Sequence, residues 1–430
     1  MKTKNILLML GFIFILSSCT KNLDKITHVE DYNSYLQNTE SEMLRLAEED
    51  FNFWEKKLEK EPQQFPYLAK AAASQSLLFN KTGNIDALIK AEQYLIEANE
   101  KTNYSKVGYL RALARNYISQ HKFKEALIQL KKAEAIGETL QATQKMLFDV
   151  HLELGNYDLA KSYLETFRND TDFDYLIRLS KWSDYRGNLD ATIKYMEQAK
   201  KIAESSNLSG MKQWTYTNLA DYYGHAGNIK ASYVHYLKAL ELNPDDAYAK
   251  KGIAWIVYSH EKNPDEALRI LNMATTTYNA PDYHLLKAEI AEYKGDLKMM
   301  NAQIELYHEA VKNPYYGSMY NAHNAKLYAE DEINIEQALK VAKTEIDNRP
   351  TPQSYDLLAW TYFNRGAIDE ALKVMENHVV NKTYEPEALY HLAEVYKAAG
   401  HVKKAKKLKQ ELLESSFELG PLMEDKIKNI

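Results

Sequence analysis

Glu305 and His308 stand three residues apart, the spacing at which a helical carboxylate and imidazole can share a metal ion. Such a site needs a second copy on another helix, and the sequence has none. The twelve histidines are scattered, without a His-Glu-x-x-His pair. Gly224-His225-Ala226-Gly227 has the outline of a loop that grips a nucleotide backbone, but its place in the pattern described below makes it a helix stop. Neither Gly-x-Gly-x-x-Gly nor Gly-Lys-Ser/Thr occurs, so no phosphate-cradling loop is written into the chain. The single cysteine, Cys19, excludes an internal disulfide and Cys-based zinc sites, and no cysteine lies beyond it for thiol catalysis. No cofactor motif is present, and a non-enzymatic protein is expected.

Lys2 and Lys4 precede an apolar run from Ile6 to Leu16, too short to span a bilayer but suited to an export leader. It ends in Leu16-Ser17-Ser18-Cys19. This resembles the lipobox of bacterial lipoproteins, which implies cleavage after Ser18 and acylation of Cys19. Two or more acyl chains anchor stably where one does not. Loss of residues 1–18 removes two lysines and no acids, taking the net charge from −6 to about −8. That balance argues against nucleic acid as partner. Thr20 after the cysteine, in place of Asp, points to sorting to the outer membrane, with either face open.

Gly 15 and Pro 10 in 430 residues are about half the average usage, which favours long helices over a turn-rich β fold. The chain is also too long for one ordinary core. Tyr216, Leu219, Ala220, Tyr223 and Gly227 precede Tyr236, Ala239, Leu240 and Pro244. The cadence returns as Tyr355, Leu358, Ala359, Tyr362, Gly366, Ala371 and as Leu389, Leu392, Ala393, Tyr396, Gly400, Ala405. It is present earlier as Leu110, Leu113, Ala114, Tyr117, Ala126, Leu130, Ala133. Each set is one stripe of a 3.6-residue helix, with a small residue that lets a second helix approach.

The pattern resembles the tetratricopeptide repeat, a 34-residue pair of antiparallel helices. Units start near 67, 107, 141, 173, 213, 247, 281, 317, 352 and 386, those near 67, 281 and 317 being degenerate. The resemblance implies an all-α, right-handed superhelical solenoid of about ten helix pairs. The expected layout is a leader over 1–18, a lipidated tether over 19–38, an additional N-terminal helix over 39–62, front repeats over 67–204, rear repeats over 213–419 and a tail over 420–430. The longer, polar junction Glu204 to Lys212 is expected to bend the array.

In the resembling family, first-helix residues pointing away from the core stripe line a concave binding groove. Here they are Arg111, Arg115 and Lys145 in front, and Trp214, Asp221, His225, Tyr248, Lys251, Trp255, Tyr258, Trp360, Phe363, Asn364 and Tyr390 behind. Aromatic and Arg side chains on such a wall are usual anchors for a partner. Two alternatives stay open: Trp255 and Trp360 fill contacts between first helices, and the basic set is a solvated face balanced by Asp149, Glu153 and Asp174. The asparagines of a terminal-carboxylate clamp are absent, with Arg115, Asp149 and Trp255 in their places. The lysines from Lys403 to Lys409 fit a solubilising cap on the last unit. The sequence thus points to an envelope scaffold lipoprotein that holds a protein or peptide. The alternative is a glycan-binding lipoprotein beside an outer-membrane transporter.

Overall fold

The structure is a computed structural model that describes residues 25–37 and 41–430. The leader and Cys19 lie outside the described residues. Every regular element among those described is a helix. Helices α1 (Val29–Leu36) and α2 (Glu42–Lys60) come first. Four hairpins follow: α3 (Phe65–Thr82) with α4 (Ile85–Lys101), α5 (Val107–Ser119) with α6 (Phe123–Ile136), α7 (Leu140–Glu153) with α8 (Tyr157–Thr166), and α9 (Phe173–Tyr185) with α10 (Leu189–Ser206). Three more are α11 (Ser209–His225) with α12 (Ile229–Leu242), α13 (Ala247–Trp255) with α14 (Pro264–Ala274), and α15 (Asp282–Tyr293) with α16 (Leu297–Val311). The last three are α17 (Asn321–Ala329) with α18 (Ile335–Asn348), α19 (Pro352–Asn364) with α20 (Ile368–His378), and α21 (Pro386–Ala398) with α22 (Val402–Glu414). Short helices α23 (Ser416–Leu419) and α24 (Met423–Lys428) close the chain.

The small residues of the repeat stripe explain why these helices pair. Ala114, Ala220, Ala359 and Ala393 on first helices, and Ala126, Ala239, Ala371 and Ala405 on second helices, are all 0% exposed. No larger side chain fits where the two backbones meet so closely. At the α11–α12 turn, Gly227 adopts a left-handed conformation (φ 70°) that stops the helix. The Asn228 amide then donates to the Tyr223 carbonyl at 2.8 Å, and the Asn228 side chain accepts from the Ala231 amide, starting α12.

The array coils until one superhelical turn touches the next. The Asn279 amide donates to the Thr82 carbonyl at 2.8 Å, and Arg349 reaches Glu153, 196 residues earlier, at 3.3 Å. Gly155 lies against Pro350 and Gly187 against the ring of Tyr384. Partners some 196 residues apart correspond to a turn of about six repeats of ~34 residues.

Three expectations need correction. The junction Glu204 to Lys212 is not an excursion, because α10 runs to Ser206 and α11 starts at Ser209. Asn207, with a φ of 55°, and the extended Leu208 make the break. The stretch expected as a tether is not loose over 25–37, since α1 packs on α12 and α14 and buries Tyr32 and Leu36. The tail is not loose either: α24 packs on α22, with Ile427 and Ile430 buried. Two units depart from the regular hairpin: α13 ends in a π-turn over Ile256–His260, and the unit read as degenerate near 317 has a first helix of nine residues.

Candidate functional site

Of the basic front residues, Lys145 is neutralised by its neighbours. Lys145 is 9% exposed and bridges Asp172 and Asp174 at 3.1 and 2.9 Å. Arg178 takes Asp149 at 2.7 Å and Lys181 takes Glu153 at 3.0 Å, so charges pair along successive first helices. The Arg111 guanidinium donates to the hydroxyls of Thr139 and Thr143. Arg115 is exposed at the edge of a cavity lined by Ala72, Ser76 and Leu88. The front set forms no common anion site.

The rear set is different. Asp221, His225, Tyr248, Lys251 and Trp255 line one cavity of 270 Å³ together with Phe417 and Glu418 from the end of the chain. Helices α11 and α13 supply the wall, one turn apart on each helix, as their stripe spacing requires. Asp221 accepts hydroxyl bonds from Tyr236 and from Tyr248, the latter at 2.8 Å. Burial nevertheless raises its carboxyl above the usual range. Lys251 is held by Asp282. Tyr248 is 53% exposed and offers the open side of its ring.

Sequence reasoning missed the other side of this cavity. The chain folds back through α23, and the Phe417 carbonyl accepts from Trp255 Nε1 at 3.1 Å and from Ser259 Oγ at 2.6 Å. Lys262 pairs with Glu424 at 2.5 Å, and Glu418 lies 3.8 Å from His225. The wall thus already grips a peptide carbonyl and an aromatic side chain, although both belong to the same molecule. No local signal marks this return: the chain turns at Ser415, between α22 and α23, ahead of Gly420 and Pro421.

A second cavity of 420 Å³ lies beside it, lined by Trp255, Trp360, Tyr390, Glu289, Glu385 and Glu418 among others. Burial pushes Glu289 up to about 7, and burial with the charges of Glu418 and Asp184 pushes Glu385 up to about 6. Trp360 is only 7% exposed and stacks between Phe363 and His391, with ring centroids 4.9 and 4.0 Å away. It fills the contact between α19 and α21, and Tyr390, 8% exposed, does the same. Asn364 turns its amide back to the Trp360 carbonyl.

Tyr258 does not belong to the wall. The π-turn inserts an extra residue, which rotates Tyr258 inward to full burial, where its hydroxyl donates to Glu289 at 3.1 Å. Trp214 is 43% exposed and lies apart from both cavities, its ring edge on Phe173. His308 stacks on Tyr328, and no group of three metal-ligating side chains occurs among the described residues. None of the described helices is long and apolar enough to cross a membrane.

Residues 215–246, the α11–α12 unit, match the family model described as tetratricopeptide repeat. A curated relative, TPR repeat-containing protein MJ1428 of Methanocaldococcus jannaschii, is 25% identical over 343 residues. That match covers 76% of this chain and 53% of the relative, so the chain spans about half of its length. Among solved structures, a tetratricopeptide repeat protein from Parabacteroides merdae is 17% identical, with 57% of this chain and 93% of that one covered at a TM-score of 0.38. Yeast Tom70 is 15% identical, with 87% and 95% covered at 0.36. The match to the tetratricopeptide repeat thus falls on the unit whose helices carry Trp214, Asp221 and His225.

Proposed function

We propose that this protein is a non-enzymatic scaffold of the bacterial cell envelope, anchored through acylated Cys19, that holds a protein partner on the inner wall of its solenoid. Helical-repeat solenoids bind through extended inner surfaces. The observation that carries the reading is the grip of Trp255 and Ser259 on the Phe417 carbonyl, beside the exposed ring of Tyr248. Those groups recognise polypeptide rather than a reacting bond. Trp214 and Tyr248 can be truncated without opening the core, because both are exposed. Affinity purification from native membranes is expected to recover a specific envelope protein that Trp214→Ala with Tyr248→Ala loses while helicity is kept. Equal recovery by the double variant contradicts the wall assignment. Cys19→Ser should abolish acyl labelling, and persistent labelling contradicts the anchor.

A further inference from the structure

The first described residues are clamped rather than free. The Ile26 and Thr27 amides donate to Glu261 Oε1 at 2.8 and 2.6 Å, and the Thr27 hydroxyl donates to Oε2 at 2.9 Å. From there α1 lies across the second helices α12 and α14. Tyr32, 1% exposed, donates its hydroxyl to Glu266 at 2.7 Å, and Arg269 donates to Asn33 at 3.0 Å. The Tyr233 hydroxyl donates to Asp31 at 3.1 Å. Three carboxylates and two phenols thus pin the segment to one patch, formed by second helices α12 and α14 and by Glu261 at the turn that ends α13.

Seven residue steps separate Ile26 from Cys19. Fully extended at ~3.3–3.6 Å each, they reach at most ~25 Å. That is about the length of α11 alone, whose 17 residues rise ~1.5 Å apiece. A leash no longer than one helix cannot let a coil of ten hairpins turn freely over a bilayer. We infer that the α12–α14 face, with α1 laid across it, is the side this protein turns toward the lipid surface. The inference rests on the Cys19 anchor proposed above and adds the orientation that the anchor alone does not give.

Charge does not set this orientation. Exposed Lys25 and Lys230 on the face are offset by exposed Glu30 and Asp31, so attraction to anionic headgroups is balanced. The leash does the orienting, and salt should leave it unchanged. Ile333, in the α17–α18 turn about three repeats of ~34 residues beyond α12, lies about half a superhelical turn from that face and should point away from the bilayer.

The acylation of Cys19, the one native cysteine, leaves an introduced thiol free for selective labelling. A donor fluorophore is placed at Val234→Cys on α12 or at Ile333→Cys, positions that are 40% and 90% exposed. The full-length lipidated protein is reconstituted in phosphatidylcholine vesicles containing an acceptor-labelled lipid. Energy transfer is expected to be several-fold stronger from position 234 than from 333. A long Gly/Ser linker inserted between Asp24 and Lys25 leaves the clamp intact and should erase the difference. Equal or reversed transfer in acyl-labelled protein overturns the inference, as does a difference that survives the linker. Absence of acyl label from the unmodified protein instead overturns the anchor itself.

Discussion

Gly155 and Gly227 end helices in the same way, with φ of 70° at both, yet they differ in what lies beyond them. A Cβ at Gly227 would meet nothing within 4 Å, whereas one at Gly155 would sit 2.7 Å from the Pro350 carbonyl oxygen on the next superhelical turn. Left-handed backbone costs a non-glycine residue ~1–2 kcal/mol, so Gly227→Ala should lose about that much. Gly155→Ala incurs the same strain and must also push a backbone oxygen aside, for which ~1–3 kcal/mol is typical of overpacking. Gly187 is the internal control. Its Cβ would press on the Tyr384 ring at 2.5 Å, but that ring is 51% exposed and can swing away. Urea unfolding followed by helical circular dichroism should therefore rank the variants with Gly155→Ala least stable, by about 2 kcal/mol relative to Gly227→Ala. If Gly155→Ala unfolds at the same midpoint as Gly227→Ala or above it, the turns of the coil do not touch in solution and the closed winding described here is wrong.

Further outcomes follow from the same contacts. Arg349 pairs with Glu345, which is 1% exposed, and lies over the Phe123 ring, so Arg349→Ala leaves a buried carboxylate with the Asn321 amide but without its cation and should cost about 3 kcal/mol in thermal or urea unfolding. Phe417→Ala, which removes the aromatic side chain from the inner wall, should shift Trp255 emission to the red and lower stability by ~2 kcal/mol, with helical content unchanged. Glu289 and Glu385, pushed up to about 7 and about 6, hold protons in the folded state that the unfolded chain has released. Stability should therefore fall as pH rises from about 4.5 to about 7, and Glu289→Gln should flatten that slope, the Glu289 share being on the order of 3 kcal/mol at most.

The repeat architecture was legible because it is local. A leucine, an alanine one step on and an aromatic three later decide the packing of a hairpin without reference to distant residues, and Ala220, Ala359 and Ala393 are buried where that spacing places them. The ten starts read from the pattern agree with the first helices to within about four residues, including the degenerate unit whose helix begins at Asn321. What escaped the sequence depends on long-range geometry. Whether α23 meets Trp255, 162 residues earlier, is set by the pitch accumulated over five hairpins, and no single residue encodes it. The seat of α1 on α12 and α14 is likewise a contact over more than 200 residues. The π-turn at Ile256–His260 escaped for a different reason: one extra residue leaves the apolar pattern intact while turning Tyr258 from the wall into the core.

The candidate wall itself was half legible. Asp221, His225, Tyr248, Lys251 and Trp255 do converge, because successive turns of two adjacent first helices face the same hollow. Trp360 and Tyr390 line the second cavity beside it, but the histidine at 391 and the phenylalanine at 363 close over Trp360 and turn the group into packing.

The central claim is that the inner wall, and not the outer surface, meets the partner. Its most direct test is a photo-crosslinking amino acid placed at Tyr248 on the wall or at Val402 on the outer side of the last hairpin, with irradiation of the intact envelope. The account predicts one discrete protein adduct from position 248 and none of that mass from 402. Adducts of the same mass from both positions, or from 402 alone, would contradict it.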